Sequence, residues 1–259
     1  MTAVNDGLVL RIERTSIHDG QGLRVVVFLK GCSLSCQWCS TPESQQPFIE
    51  KEYGQILTVD QLVEEISKDE IFFFHSGGGV TVSGGECPLQ CDFVAAVLEK
   101  CCRRGINTAI ETSLFAPWKS VQKILPFLNS AYVDLKHPDG RMHQKFTGAD
   151  NSLILNNLKK LDQSALPFDI HLRIPLIPGI NDADDTLLAV LTISATIRKL
   201  KEIEILPYHR LGVETYKKLG RSYELQQLSV PSWEYIVERA EFLRKQNARV
   251  SVKVGGGYV

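Results

Sequence analysis

The stretch Val25-Val26-Val27-Phe28-Leu29-Lys30-Gly31-Cys32-Ser33-Leu34-Ser35-Cys36-Gln37-Trp38-Cys39 decides how the chain is read. Its apolar run, rich in β-branched residues, predicts a short buried strand over 25–29. Gly31 breaks the run, and three cysteines follow in the spacing C-x3-C-x2-C. A strand, a tight loop and metal-ligating side chains in that order put a candidate site just past the C-terminal end of a strand.

Working outward, the same order repeats. Strands are predicted over 79–82, 108–111, 132–135, 170–177, 202–206 and 249–254. Helices are predicted over 59–70, 91–104, 117–128, 152–161, 181–198 and 233–246. Pro126 should end or bend the third of these helices. Asn181 is expected to cap the fifth, with Asp184 in the capping-box position. Alternation repeated about six times predicts parallel strands joined by crossover helices. The expected fold is α/β, a partial (β/α)6 TIM-like barrel in a single domain. Residues 1–14 are read as an N-terminal extension, 15–254 as the core and 255–259 as a tail.

Composition narrows the function. Of 259 residues, 44% are hydrophobic and 23% charged, enough for an ordinary packed core. Lys and Arg number 29 against 30 Asp and Glu, a formal charge of −1, so a nucleic-acid partner is not expected. No apolar run approaches the ~18–20 residues of a membrane span, and no cationic leader precedes an apolar stretch. A cytoplasmic protein with no membrane partner is expected. The seven cysteines are unevenly placed: Cys32, Cys36 and Cys39, then Cys87, Cys91, Cys101 and Cys102. That clustering suits metal binding or catalysis better than a disulfide framework.

Three thiolates on one tight loop can each hold one iron of a cubane cluster. A fourth iron is then left open, by the logic of an open catalytic metal site. Chelation of S-adenosylmethionine through its amino and carboxylate groups would fill it, and an electron from the cluster could then cleave the sulfonium. Zinc is the simpler alternative, but it needs a fourth ligand, and the next candidates, His75 and Cys87, are distant in sequence. Polar or Gly-rich residues also follow the other strands: Ser83-Gly84-Gly85-Glu86, Glu111-Thr112-Ser113, Asp134-Leu135-Lys136, Pro178-Gly179 and Pro207-Tyr208-His209. Taken singly, Asp134-Leu135-Lys136 reads as a solvated strand end, Glu86 as a helix-start acid and His209 as a local hydrogen-bonding residue. Their recurrence at successive strand ends is what points to a site.

The segment 31–39 resembles the cluster loop of the radical S-adenosylmethionine superfamily. More narrowly, the chain is similar to the glycyl-radical-enzyme activating enzymes, of which pyruvate formate-lyase activating enzyme is the best known. The matches are His18-Asp19-Gly20-Gln21-Gly22-Leu23-Arg24, Cys39-Ser40-Thr41-Pro42-Glu43-Ser44, the string from Ser76 to Glu86, Asp134-Leu135-Lys136 and Leu206-Pro207-Tyr208-His209. They run in order from about residue 15 to 225. The resemblance implies one 4Fe–4S cluster on Cys32, Cys36 and Cys39, with S-adenosylmethionine on its open iron. It implies Trp38, Cys39 and Ser40 beside the adenine, and Gly84, Gly85 and Glu86 at the methionine amino group. Glu111, Thr112, Asp134, Leu135 and Lys136 would address the methionine carboxylate, the ribose or a monovalent cation. His209 would address the ribose or the carboxylate, and Asp19 and Arg24 the partner's loop. The implied partners are a large glycyl radical enzyme and an electron donor such as flavodoxin or ferredoxin, with this chain a monomer working anaerobically.

The chain departs from the family pattern in three places. Residues 47–60 are short and cysteine-free where many relatives carry a ferredoxin-like insert. Leu114 stands where the family often has Gly. Cys87, Cys91, Cys101 and Cys102 are additional; Cys101 extends an apolar helical stripe, and Cys87 is expected to be oxidation-sensitive beside the cofactor. Two other functions fit parts of the sequence: a radical enzyme acting on a small molecule or free peptide, and a non-catalytic iron–sulfur electron carrier. The carrier would have no use for Gly84-Gly85-Glu86 or His209.

Overall fold

The computed structural model describes residues 5–246 and 249–255. The tail expected over 255–259 lies, beyond Gly255, outside the described residues. The chain divides into two compact units. One takes in the chain up to Ser33, Glu43–Ala131 and Leu166–Phe168; the other takes in Leu34–Pro42, Tyr132–Ala165 and the chain from Asp169 onward.

In the first unit, strands β1 (Asp6–Ser16), β2 (Arg24–Leu29), β3 (Gln55–Thr58), β4 (Gly79–Gly84) and β5 (Asn107–Thr112) lie in the order β3-β1-β2-β4-β5. β2, β4 and β5 run parallel, with Val27 opposite Val82 and Val82 opposite Ile110. Val25, Val26, Val27 and Val80 are fully buried, as expected of parallel strands covered on both faces. β1 pairs antiparallel with β2 and β3. It escapes the sequence reading because Arg11, Glu13 and Arg14 dilute its apolar alternation.

Helices α1 (Val59–Ser67), α2 (Glu70–Ser76), α3 (Cys91–Arg103) and α4 (Trp118–Ile124) complete this unit. The helix expected over 59–70 is two helices. The first starts at a capping box between Thr58 and Gln61 and stops at Lys68, before Asp69 opens the second. α3 buries Phe93, Val94, Val97, Leu98 and Cys101, the apolar stripe read from the sequence. α4 gives way to a 3-10 turn over Leu125–Phe127, at the expected proline.

The second unit is built on β6 (Ser130–Asp134), whose first residues belong to the first unit, and on β7 (Asp169–Leu176), β8 (Leu200–Pro207) and β9 (Ser251–Val254), in that order. β7, β8 and β9 are parallel. Its helices are α5 (Gly140–Thr147), α6 (Ser152–Gln163), α7 (Asp184–Ala195), α8 (Val213–Leu219) and α9 (Trp233–Gln246). Helices α5 and α8 carry no periodic signal in the sequence because both are short, and α5 is also largely polar.

Asn181 does not cap α7. That helix begins after Ala183, with no side-chain cap. The Asn181 side chain is buried instead. It accepts from Ile177 N–H at 2.7 Å and donates to Pro175 O at 2.6 Å and Lys136 O at 2.9 Å, which fastens the end of β7 to the residues after β6. The α/β class and the parallel strands are as read from the sequence. No helix among the described residues is long and apolar enough to cross a membrane.

Candidate active site

In the first unit, β2 delivers its chain to the cysteine loop. Gly31, at φ +98°, donates its N–H to Ser44 O at 2.7 Å, and Cys32 N–H donates to Gln45 O at 2.9 Å. Buried Lys30 gives its ammonium to Glu43 O. The start of the loop is thus fixed by backbone bonds before any cofactor is considered. Gly85 N–H donates to Leu29 O at 2.9 Å and Glu86 N–H to Gly31 O at 2.8 Å. A β-carbon on Gly85 would lie 2.1 Å from Gly31 O, and one on Gly84 would lie 2.2 Å from Leu29 N. Here the two glycines let the end of β4 lie against the end of β2.

Glu86 is buried, and its carboxylate is already engaged. It accepts the Ser113 N–H at 3.0 Å and the hydroxyls of Ser113 and Thr112. Ser113 thereby joins the candidate site through Glu86, a contact with no signal in the sequence. Glu111 accepts from the Ser83 hydroxyl at 2.6 Å. Leu114 takes φ +62°, so the turn keeps the conformation a glycine would favour although a fully buried leucine occupies it.

The expectation that Cys87 is oxidation-sensitive needs correction. Cys87 is fully buried, and its thiol points to Glu111 O at 3.5 Å. Burial, with Glu86 and Glu111 nearby, pushes its pKa well up, so the reactive thiolate is suppressed. Cys101 is likewise buried, and burial pushes its thiol to about 12. Cys91 is half-buried and Cys102 exposed.

Arg24 lies inside this unit at 1% exposure. Its guanidinium donates to Thr81 Oγ1 at 2.7 Å and Asn107 Oδ1 at 2.9 Å. That is the placement of an internal brace. Asp19 is half-buried; its carboxylate accepts from Ser16 and its carbonyl from Thr81 at 2.7 Å.

The second unit carries the rest of the cysteine loop. Cys36 and Cys39 close a turn through Cys39 N–H to Cys36 O at 3.1 Å. Trp38 is buried with its ring centroid 6.3 Å from that of Phe146, while Ser40 is exposed. Gly212 lies against this turn: a β-carbon there would stand 2.8 Å from Cys39 O and 2.9 Å from Ser40 O. Arg221 donates to Pro42 O at 3.0 Å and fastens the loop's far end.

Asp134, at the end of β6, faces two cations. Arg173 Nε is 2.9 Å away and Lys136 Nζ 3.2 Å. Burial opposes its charge, yet the two cations outweigh it and hold the carboxyl below its usual range. Leu135 is buried and donates its N–H to Arg173 O at 2.9 Å. Arg173 is a functional candidate that the sequence reading passed over; its signal was a cation inside an apolar strand. His209 follows β8, exposed at its edge. Surrounding protein lowers its pKa by desolvation, and its Nδ1 accepts from Leu211 N–H at 3.4 Å, which suits a neutral ring.

The donor set fits an iron–sulfur cluster. Cys32, Cys36 and Cys39 all lie outside any disulfide. Among the described residues no three His, Cys, Asp or Glu side chains converge as a ready site for one metal ion. A cluster is larger than an ion, and its thiolates attach to separate irons.

Comparison with known proteins gives the class. Residues 26–191 match the Radical SAM superfamily. The chain is 35% identical to the (2S)-3-sulfopropanediol dehydratase activating enzyme of Klebsiella oxytoca, over 86% of this chain and 89% of that protein. It is 34% identical to the trans-4-hydroxy-L-proline dehydratase activating enzyme of Clostridioides difficile, over 96% and 99%. A crystal structure of a domain of pyruvate-formate lyase-activating enzyme from Bacteroides vulgatus superposes with a TM-score of 0.56 at 29% identity, covering 70% of this chain and all of that one.

The chain belongs to the radical SAM superfamily and, within it, to the activating enzymes of glycyl radical enzymes. It is a radical SAM oxidoreductase, and the family implies a 4Fe–4S cluster and S-adenosylmethionine. The match to the C. difficile protein runs over 304 residues, more than the 259 of this chain, so that relative carries segments with no counterpart here.

Proposed function

We propose that this enzyme binds one 4Fe–4S cluster on Cys32, Cys36 and Cys39, binds S-adenosylmethionine beside it, and abstracts hydrogen from a backbone glycine of a partner glycyl radical enzyme. The observation that carries this reading is the loop itself: three cysteines in C-x3-C-x2-C spacing, none in a disulfide, on a loop held by backbone bonds where it leaves the C-terminal end of a parallel strand. When bound and reduced, cluster and cofactor supply a 5′-deoxyadenosyl radical. The protein's part is to place and enclose. Trp38 and Ser40 flank the third cysteine for the adenine. Gly84 and Gly85 present backbone to the methionine amino group, with Glu86 holding the Thr112–Ser113 turn beside them. Glu111 and Thr112 address the methionine carboxylate or the ribose, and neutral His209 the ribose.

Asp134 is already matched to Arg173 and Lys136, so this group is better suited to a carboxylate or hydroxyl ligand than to a monovalent cation. Asp19, which is half-buried, is the better of the two residues proposed to meet the partner's loop, since Arg24 is internal. The partner glycine must come within near contact of the radical carbon, so its loop has to leave its own protein to react. We assign electron delivery to a flavodoxin or ferredoxin, a monomeric state to this chain and the cytoplasm as its compartment.

The test is isotopic. Reduced, reconstituted enzyme is mixed with S-adenosylmethionine and a peptide copying a glycyl radical loop, its glycine deuterated at the α-carbon. Deuterium in the product 5′-deoxyadenosine is the expected result. Cofactor cleavage without label, on this peptide and on intact glycyl radical enzymes alike, would favour a small-molecule substrate instead.

A further inference from the structure

Helix α5 ends against the loop that carries the second and third cysteines. The last carbonyls of a helix have no partner within it. Here that loop supplies partners. Ser35 N–H donates to Thr147 O at 2.8 Å, and Gln37 N–H to Phe146 O at 3.0 Å. The Gln37 side-chain amide reaches Lys145 O at 3.4 Å, and the Trp38 ring packs against Phe146. Gly148 caps the helix at φ +88°, where a β-carbon would stand 2.6 Å from Ser35 Oγ. All of these contacts lie inside the second unit.

An amide has one proton. Given to a helix carbonyl, it is not available to a thiolate or a bridging sulfide. Hydrogen bonds to sulfur help to set a cluster's potential, since they favour the more negative, reduced state. The C-terminal end of a helix also carries a partial negative charge of about half an electron. That charge opposes an added electron nearby. Both effects act in the same direction.

We propose that the C-terminal end of α5 is a redox-setting clamp: it takes the Ser35 and Gln37 amides for its own carbonyls and presents its negative end to the loop, which keeps the cluster on Cys32, Cys36 and Cys39 at a low reduction potential. The inference rests on the cluster assignment proposed above and adds the element that tunes it. A low potential makes the loaded protein a strong one-electron donor, which reductive opening of a sulfonium requires.

The experiment is an EPR-monitored redox titration of anaerobically reconstituted protein, with iron counted in each sample. Gly148→Val should push Ser35 off the helix end: the Ser35 hydroxyl can turn away from a β-carbon, but γ-methyls would then meet Ser35 Cβ and N, which lie 3.8 and 4.0 Å from the β-carbon position. The reduction equilibrium should then shift at least tenfold toward the reduced state, about 59 mV upward for one electron, with iron content unchanged. Pulsed EPR after exchange into D2O should show a newly coupled exchangeable proton. Gly105→Val is the control. It shares a left-handed backbone, at φ +73°, but faces nothing within 4 Å, and it should match the wild type.

If Gly148→Val loses iron, Phe146→Ala loosens the same contact from helical backbone and carries the test. A shift below tenfold in a variant that keeps its iron would overturn the clamp. Loss of iron in both variants would also overturn it, showing that the contact only positions the loop. Failure of the wild type itself to hold about four irons would refute the cluster assignment and the clamp with it.

Discussion

Gly212 lies beneath Cys39 so closely that a β-carbon on it would stand 2.8 Å from the Cys39 carbonyl oxygen. Its own φ is −75°, an ordinary value for any residue, so the missing side chain rather than the backbone conformation is what this contact requires. The neighbours it would strike, Cys39 O and Ser40 O, are backbone and cannot swing aside. Gly212→Ala should therefore displace the third cysteine. The expected outcome is at least a twofold loss of bound iron after reconstitution, with stability of the metal-free protein lowered by about 1–2 kcal/mol. Iron analysis and urea titration check the two parts.

Glu86 is a buried carboxylate held by Thr112 and Ser113. Removing it strands the Ser113 N–H and two hydroxyls in a buried place. Glu86→Ala should cost about 3 kcal/mol, within the usual range for breaking a buried charged network. Glu86→Gln keeps one acceptor oxygen and should cost less than half of that. Both variants should weaken S-adenosylmethionine binding, measured by calorimetry on the loaded protein.

Leu114 sets strain against burial. A left-handed backbone costs a leucine about 1–2 kcal/mol. Emptying a fully buried leucine site costs about 3–5 kcal/mol, and glycine adds about 1 kcal/mol of chain entropy. Burial wins. Leu114→Gly is expected to destabilise the protein by about 2–5 kcal/mol even though it restores the residue the family often has there. Chemical denaturation decides the sign, and a stabilised variant would show that turn strain outweighs burial at this position.

Glu202 gives the fold an acid limit. A hydrogen bond with His171 at 2.9 Å, then one with Lys253 at 2.7 Å, hold its carboxyl at about 2, below the ordinary 4.5. A depressed carboxyl stabilises the fold fully above its unfolded pKa, and that contribution is lost as pH falls through the folded value. The window is therefore between about pH 4.5 and 2, and the loss is about 3 kcal/mol at most. Glu202→Gln should flatten this part of the stability profile. Urea unfolding midpoints across that range would show it.

Much of this was legible in the sequence, for reasons that differ by element. β2 and β4 are legible because both faces are buried and, Arg24 at the start of β2 apart, every position is apolar or small. The cysteine loop is legible because its three cysteines are close together in the chain. β1 was hidden by Arg11, Glu13 and Arg14 on its solvent side. Helix α5 was hidden because its stabilising contacts are to the cysteine loop, more than a hundred residues earlier. For the same reason Gly212, Arg221 and Phe146 carried no sequence signal: each matters through a backbone oxygen or ring brought near only by folding. Asn181 shows the converse. Its position before a helix suggested a cap, and tertiary hydrogen bonds claimed the side chain instead.

The most direct measurement is iron content of the anaerobically reconstituted protein, together with 5′-deoxyadenosine formed after reduction in the presence of S-adenosylmethionine. About four irons per chain with cofactor cleavage, both abolished when Cys32, Cys36 and Cys39 are replaced by Ala, is the expected result. Zinc in place of iron, or a cluster that never cleaves the cofactor, would contradict the account.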